Sequence, residues 1–433
     1  MPTFKRVPDD LGKQLYDAMW ATVGEFQVPA WLLKETNEPQ PISRAERIHG
    51  LAMLWSEARV SFAYWEERAD LDWDAAFQSF LPRVEAAEDP GEYYRLLQEF
   101  VALLREGHSY VAPPDWVLGA RATPPVAVRY VEGQPVVVRG EVLPPGTVIT
   151  AVDGRAAPEV LAELARTVPA STSHDRMQKA CNRLLLGAKG SEVLVAIRRP
   201  DGGEEAVRLV RTGSLPPRPL FARQELGEGR VLVRINGWHD PKVVDLFHEA
   251  FPDFDGVSAL IIDQRYNGGG NSANGEKVLA RLLQEPLPPY ETSETPLYWG
   301  GMRVYELHHL MLKAQGTAVE PDTGRPRFGG PVVVLTSHST FSAAEDFCIA
   351  FRSSRRGLIV GEATGGSTGN PSVFPLPGGG IGAVSATRVT FADGTPLIGV
   401  GVLPDVACSP TIAGLAAGRD EVLERALKLL GEG

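Results

Sequence analysis

Cysteine is scarce in this chain: Cys181, Cys348 and Cys408 are the only three in 433 residues. Three cannot all pair, and they share no metal-ligand spacing. A disulfide scaffold is therefore excluded, and buried thiols are expected. Nowhere do His, Cys, Asp or Glu recur at the intervals that hold a metal, so neither a metal nor an organic cofactor is expected. Long apolar runs are missing too. Nothing approaches the roughly 20 residues a membrane helix needs, and the opening MPTFKRVPDDLGKQLYDAMW has no apolar stretch of signal-peptide length. A soluble, cytoplasmic chain is the expectation. Positive charge is in deficit, 43 Lys and Arg against 54 Asp and Glu for a net charge of −11. That argues against nucleic acid as a partner, because phosphate binding needs clustered cations. There is no internal repeat.

What is present is ordinary globular matter, 43% hydrophobic and 22% charged, enough for a sizeable core. At about 150 residues per domain the length suggests two to four domains. Three regions of different character follow one another. Residues 1–118 read as helical. Ser43 with Glu46 forms a capping box before an apolar face of Ile48, Leu51, Leu54 and Trp55. Asp72 opens a second helix, and Asp89 with Pro90 a third. Gly107 is expected to close the third as a left-handed cap, with His108 directly after it.

Residues 120–212 turn to short alternating runs separated by turn residues, with helices expected near 158–164 and 174–185. From 215 to 433 the pattern is α/β, with strands expected at 231–235, 259–262, 332–335 and 358–360. The runs at 259–262 and 332–335 are almost wholly apolar, as in strands buried on both faces. The proline-rich stretch 285–296 reads as a loop.

Several segments carry candidate chemistry. Ser342-Ala343-Ala344-Glu345 follows a buried strand and opens a helix. Ser-x-x-Glu is a common capping box; the same geometry also exposes a serine beside free helix N–H groups able to receive an oxyanion. Ala259 to Gly270 runs from a buried strand through Asp263 and Arg265 into three glycines. The two charges are expected to pair and hold the loop, while the glycines let backbone N–H groups approach a substrate. His108, expected beyond a helix C-terminus, suits a general base, since the dipole there favours the imidazolium. His338 is a second candidate base, four residues before Ser342. Glycine-rich turns at 361–366 and 393–406 are unspecific by themselves.

In this order the segments L-I-I-D-Q-R-Y-N-G-G-G, F-S-A-A-E, G-E-A-T-G-G and G-V-G-V-L-P-D, with a helix leading to Gly107-His108-Ser109, resemble the tail-specific (C-terminal processing and tricorn-core-like) serine peptidase family. The likeness extends from about residue 43 to 408. It implies an α/β fold with a crotonase-like (ClpP/crotonase-type) catalytic core at 215–433, the helical region at 1–118, and a PDZ-like β-rich domain at 120–212. For that last domain the sequence shows P-P-G-T-V-I-T-A-V-D-G and G-S-E-V-L-V-A-I-R-R, with Thr147 where the family has aspartate. The resemblance implies Ser342 as nucleophile. It also implies an oxyanion hole from Ala343 and Gly269, or a neighbour in the triplet, and peptide or unfolded protein as substrate. Processing peptidases activate the serine with a lysine 25 residues later; that position is Ser367 here. The tricorn-like branch uses a histidine, matched by His108, and an acid before the last motif, where this chain has Ile398. Glu106 and Glu362 are candidate substitutes for that acid. Two alternatives remain open: a relative that binds peptides or hydrophobic ligands without catalysis, and a hydrolase of small esters or amides.

Overall fold

The computed structural model describes residues 38–39, 41–213, 215–298 and 309–431, with the short segment Phe4–Arg6 and Gln14. The three predicted helices of the first region are Arg44–Ser61, Trp73–Ala86 and Pro90–Ala102. Each opens as the sequence predicts. The Ser43 N–H donates to Glu46 Oε2 at 2.7 Å and Ser43 Oγ accepts from the Glu46 N–H, while Asp72 and Asp89 accept from Ala75 and Glu92. The helices bury Leu51, Leu54, Phe80, Val84, Tyr93, Leu97 and Phe100 in one cluster. They do not close it alone. Phe374, Leu376 and Val384, from the paired strands Pro371–Leu376 and Gly380–Ser385, complete it, and the strand Tyr110–Ala112 pairs with the second of these. The chain just before Tyr110 is thereby held against the C-terminal half.

One predicted terminus is corrected. The third helix ends at Ala102, and the left-handed residue is Arg105 (φ 50°), not Gly107. Gly107 serves close approach instead: a Cβ there would lie 2.8 Å from the Phe341 ring and 3.0 Å from Ser367 Cβ.

Residues 126–210 form an antiparallel sheet in the order Glu204–Val210, Glu192–Arg198, Val148–Val152, Gln134–Gly140, Val126–Val131, with Arg155–Ala156 paired beside Val148–Val152. The helices Ala157–Ala165 and Ser173–Arg183 pack on it. Alternation decides which face is buried: Val193, Val195 and Ile197 point inward between exposed or half-buried neighbours. With Val137, Ile149, Leu161 and Cys181 they make a separate apolar core.

A second six-stranded sheet runs Phe221–Glu225, Arg230–Ile235, Ala259–Asp263, Val332–Thr336, Leu358–Gly361, Val406–Ala407. Its first pair is antiparallel and the rest are parallel. Every residue of Ala259–Asp263 and Val332–Thr336 is buried. The side-chain period of two sends Leu260, Ile262, Val332 and Val334 to one face, under the helices Lys242–Ala250, Ser272–Ala280 and Ala343–Ser353. It sends Ile261, Val333 and Leu335 to the other, under Val422 and Ala426 of Glu421–Gly431. Covering both faces explains the nearly continuous apolar runs. The predicted loop 285–296 is partly a strand: Glu291–Tyr298 pairs with Arg388–Phe391 and His309–Gln315.

Candidate active site

The carboxyl ends of two central parallel strands bring the candidate segments together, the usual place for a site in an open α/β sheet. Beyond Asp263 the chain is pinned by ion pairs. Arg265 donates to Asp263 at 2.8 and 2.9 Å and to Asp420 at 2.7 and 2.8 Å. The predicted local pair is present, and Asp420 adds a second carboxylate far away in sequence. The glycine loop then passes directly under the serine loop. Phe341 N–H donates to Asn267 O at 3.0 Å. Gly269 has φ 98°, and a Cβ on it would fall 2.6 Å from Ser342 Cβ and 2.9 Å from the Ala343 nitrogen. Only glycine fits there. Its own N–H donates to Asn267 Oδ1 at 2.9 Å.

Ser342 stands at the turn into Ala343–Ser353 with φ 57° and ψ −130°. That conformation is costly for a residue with a side chain and persists only where its surroundings enforce it. Two contacts enforce it: the Ser342 N–H donates to Ser367 O at 3.1 Å and to Glu345 Oε2 at 3.2 Å. Glu345 is fully buried and also accepts from Thr364 Oγ1, Gly366 N–H and Ser367 N–H. Burial pushes its pKa up to about 8 against the hydrogen bonds from Thr364, Ser367 and Gly366. Ser342 Oγ is thereby turned away from simple capping and lies 3.0 Å from His108 Nε2.

The far side of His108 is also engaged. Nδ1 lies 2.8 Å from Ser367 Oγ and 3.4 Å from Glu106 Oε1. Ser367 Oγ donates to Glu106 Oε1. Glu106 further accepts from Ser109 Oγ at 2.9 Å and from the His108 N–H. Burial by itself would raise its pKa, but His108 and the Ser367 hydroxyl more than offset that and hold it below the usual carboxylate range. The directions follow from this ionisation. A carboxylate only accepts, so the Ser367 hydrogen points to Glu106 and Ser367 Oγ accepts from Nδ1–H. His108 Nε2 is left with a lone pair facing the Ser342 hydroxyl. The His108 ring itself stacks on Phe341, centroids 4.8 Å apart.

The other candidates lie elsewhere. His338 donates Nδ1–H to Ala363 O at 2.9 Å and stacks on His174 at 4.3 Å; its neighbours are not the Ser342 hydroxyl. Glu362 is paired with Arg129 Nη2 at 2.5 Å and stands 3.7 Å from His338 Nε2. Ile398 packs against the helical core cluster. The residue beside His108 that sequence reasoning does not single out is Ser367; the signal that could find it is its place 25 residues after Ser342, where processing peptidases carry the lysine. Among the described residues no group of three or more His, Cys, Asp or Glu is arranged to hold a metal ion, and no helix is long and apolar enough to cross a membrane.

Peptidase family S41 matches residues 231–408, the segment that supplies the parallel sheet, the glycine loop, Ser342 and Ser367. A C-terminal processing peptidase of the Tetradesmus obliquus chloroplast is 30% identical over 203 residues, 47% of this chain and 39% of that protein. A tricorn protease homolog of Streptomyces coelicolor is 26% identical over 84% of this chain and 31% of its own length. The chain thus spans well under half of either relative. A carboxyl-terminal-processing protease of a Picosynechococcus strain is 24% identical over 80% of both chains. Among solved structures, mature CPAF superposes with a TM-score of 0.71 at 18% identity, covering 89% of this chain and 96% of that one. The overall arrangement is therefore that of a known fold. Residues 231–408, the segment that builds the site, are thus similar to peptidase family S41, with processing peptidases among the relatives.

Proposed function

We propose that this chain is a serine peptidase that cleaves peptide bonds through an acyl-enzyme. The observation that carries the reading is the unbroken hydrogen-bond chain Ser342–His108–Ser367–Glu106. Ser342 Oγ attacks the carbonyl carbon while its proton passes to His108 Nε2. The new imidazolium is stabilised through Ser367 by the buried Glu106 carboxylate, which keeps the ring in the accepting tautomer before attack. The proton then moves to the leaving amine as the C–N bond breaks. Water attacks the acyl-enzyme with His108 again as base.

The oxyanion takes the Ala343 N–H, which lies in the first helical turn and has no intrahelical acceptor. The second donor comes from the glycine triplet. With the Gly269 N–H given to Asn267, that role falls to a neighbouring glycine while Gly269 supplies the clearance. We read the core as crotonase-like and residues 126–210 as PDZ-like, and peptide or unfolded protein as the substrate class. With Glu106 in the relay, the lack of an acid at Ile398 does not favour a non-catalytic binding protein.

A fluorophosphonate provides the test. It is expected to label Ser342 covalently, and Ser342→Ala is expected to abolish both labelling and turnover of a peptide library with the fold retained. Appreciable turnover by Ser342→Ala sinks the assignment. Labelling with cleavage of esters but of no peptide moves the activity to small-molecule hydrolysis.

A further inference from the structure

Residues 171–174, at the start of the helix Ser173–Arg183, belong to the β-rich segment and not to the family core. Their contacts nevertheless converge on the His108–Ser367 bond from both ends. Ser171 Oγ accepts the N–H of Gly107, the residue before His108, at 3.1 Å. Thr172 Oγ1 donates to Gly365 O at 3.0 Å, and His174 Nε2–H donates to Thr364 O at 2.7 Å. These two carbonyls lie two and three residues before Ser367. Gly366 has φ 82°, and a Cβ on it would meet Thr172 Cγ2 at 2.6 Å, so the Thr172 side chain packs closely on the Gly366 backbone. Further along the same helix, Lys179 Nζ sits 4.2 Å over the ring of Phe341, which stacks on His108.

The same helix also faces the strand Val126–Val131, where an extended peptide would add if the segment captured substrate by strand addition. That edge is already in use. Gln178 Oε1 accepts from Tyr130 N–H at 3.2 Å, and its Nε2 donates to Val128 O at 3.4 Å and to Asn182 Oδ1 at 2.9 Å. Gln178 and Arg129 are both buried. A peptide strand entering here has to displace a satisfied, buried amide, at a cost of desolvation and lost bonds.

We infer that Ser171, Thr172 and His174 are positioning residues that set the distance between His108 and Ser367, so that the β-rich segment acts first on the relay and not on the substrate chain. The inference rests on the serine peptidase reading above. Each bond is individually modest, but each acts on backbone within three residues of a relay atom, and a misplacement of about 1 Å can cost on the order of 100-fold in rate.

The test uses the full chain, a short chromogenic ester, a short peptide and a long unstructured peptide, with the rate of fluorophosphonate labelling at Ser342 as an independent readout. Ser171→Ala is expected to lower kcat and the labelling rate by about 10-fold or more, alike on all three substrates, with KM little changed. Ser171→Thr, which keeps the hydroxyl, is expected to restore most of the loss. His174→Leu is expected to behave like Ser171→Ala, while His174→Gln retains a donor and most of the activity. A loss confined to the long peptide, or labelling of both Ser171→Ala and His174→Leu at the wild-type rate, overturns the inference. Absence of any labelling in wild type instead removes the serine peptidase reading beneath it. Melting curves accompany each variant, and the kcat comparison at equal folded fraction applies to whichever of the two variants folds.

Discussion

Two histidines in this chain each stand beside a buried glutamate, and the two neighbourhoods behave differently. At His108, no cationic side chain among the described residues is bonded to Glu106; its charge is met by hydroxyls, an amide and the imidazole. At His338, Glu362 is taken by Arg129, and the ring gives its Nδ1–H to a main-chain carbonyl. The first arrangement leaves a hydrogen-bonded carboxylate able to stabilise positive charge on the imidazole. In the second, the guanidinium already holds the carboxylate. A histidine and a carboxylate close together therefore do not define a base; the carboxylate must be free of a stronger partner.

The sharpest way to break this comparison is to remove the proposed base. His108→Ala is expected to lower kcat by about 1,000-fold or more, with little change in KM, while His338→Ala stays within about 10-fold of wild type. Steady-state kinetics on one peptide decides it, and equal losses erase the distinction.

Next in size is the relay. Glu106→Gln and Ser367→Ala are each expected to cost about 100-fold or more in kcat. Because the two act through one hydrogen-bond chain, the double variant should lose little beyond the worse single one. Additive losses argue for two separate roles. Ile398→Glu tests the same idea from the opposite side. Ile398 packs on the helical core, so a carboxylate there should bring no gain in rate and a lower melting temperature. A gain that disappears with His108→Ala restores position 398 to the site.

Glu362→Gln is expected to reduce stability by about 3 kcal/mol, since it leaves Arg129 buried without its counter-charge, and to reduce activity less than Glu106→Gln does. Denaturant titration beside the kinetics separates the two effects.

The smallest effect is on pH dependence. Burial, with His174 and Arg129 nearby, lowers the pKa of His338 below its ordinary 6.5, against the opposing pull of Glu362. The unfolded chain then binds that proton more readily than the folded one. The stability His338 contributes is present above 6.5 and is lost as pH falls from there through the folded value. His338→Phe, which keeps a ring against His174, should flatten the fall in melting temperature over that acid range. An unchanged slope means that His338 does not titrate with folding.

The predicted strands at 231–235, 259–262, 332–335 and 358–360 and the capped helices after Ser43, Asp72 and Asp89 are all present. Their signals are local: alternation, apolar runs and side-chain caps, each read within a few residues. Gly107 shows where local signals mislead. It ends no helix; it is small because Phe341 and Ser367, more than 230 positions later, lie against it. Glu291–Tyr298 misled in the same manner, since its prolines suggested a loop while pairing on both sides made it a strand.

By itself the amino-acid sequence determined the four core strands and the capped helices, which of their faces are apolar, and that Ser342 opens a helix. Those properties depend on neighbours in the chain. The tertiary structure decided which groups surround that serine. Glu106 and Ser367 are 261 positions apart and form one hydrogen-bonded pair, and Ser171 bonds the amide of Gly107 from 64 positions away. No periodicity encodes such pairs, because a hydrogen bond senses separation in space and is indifferent to separation along the chain.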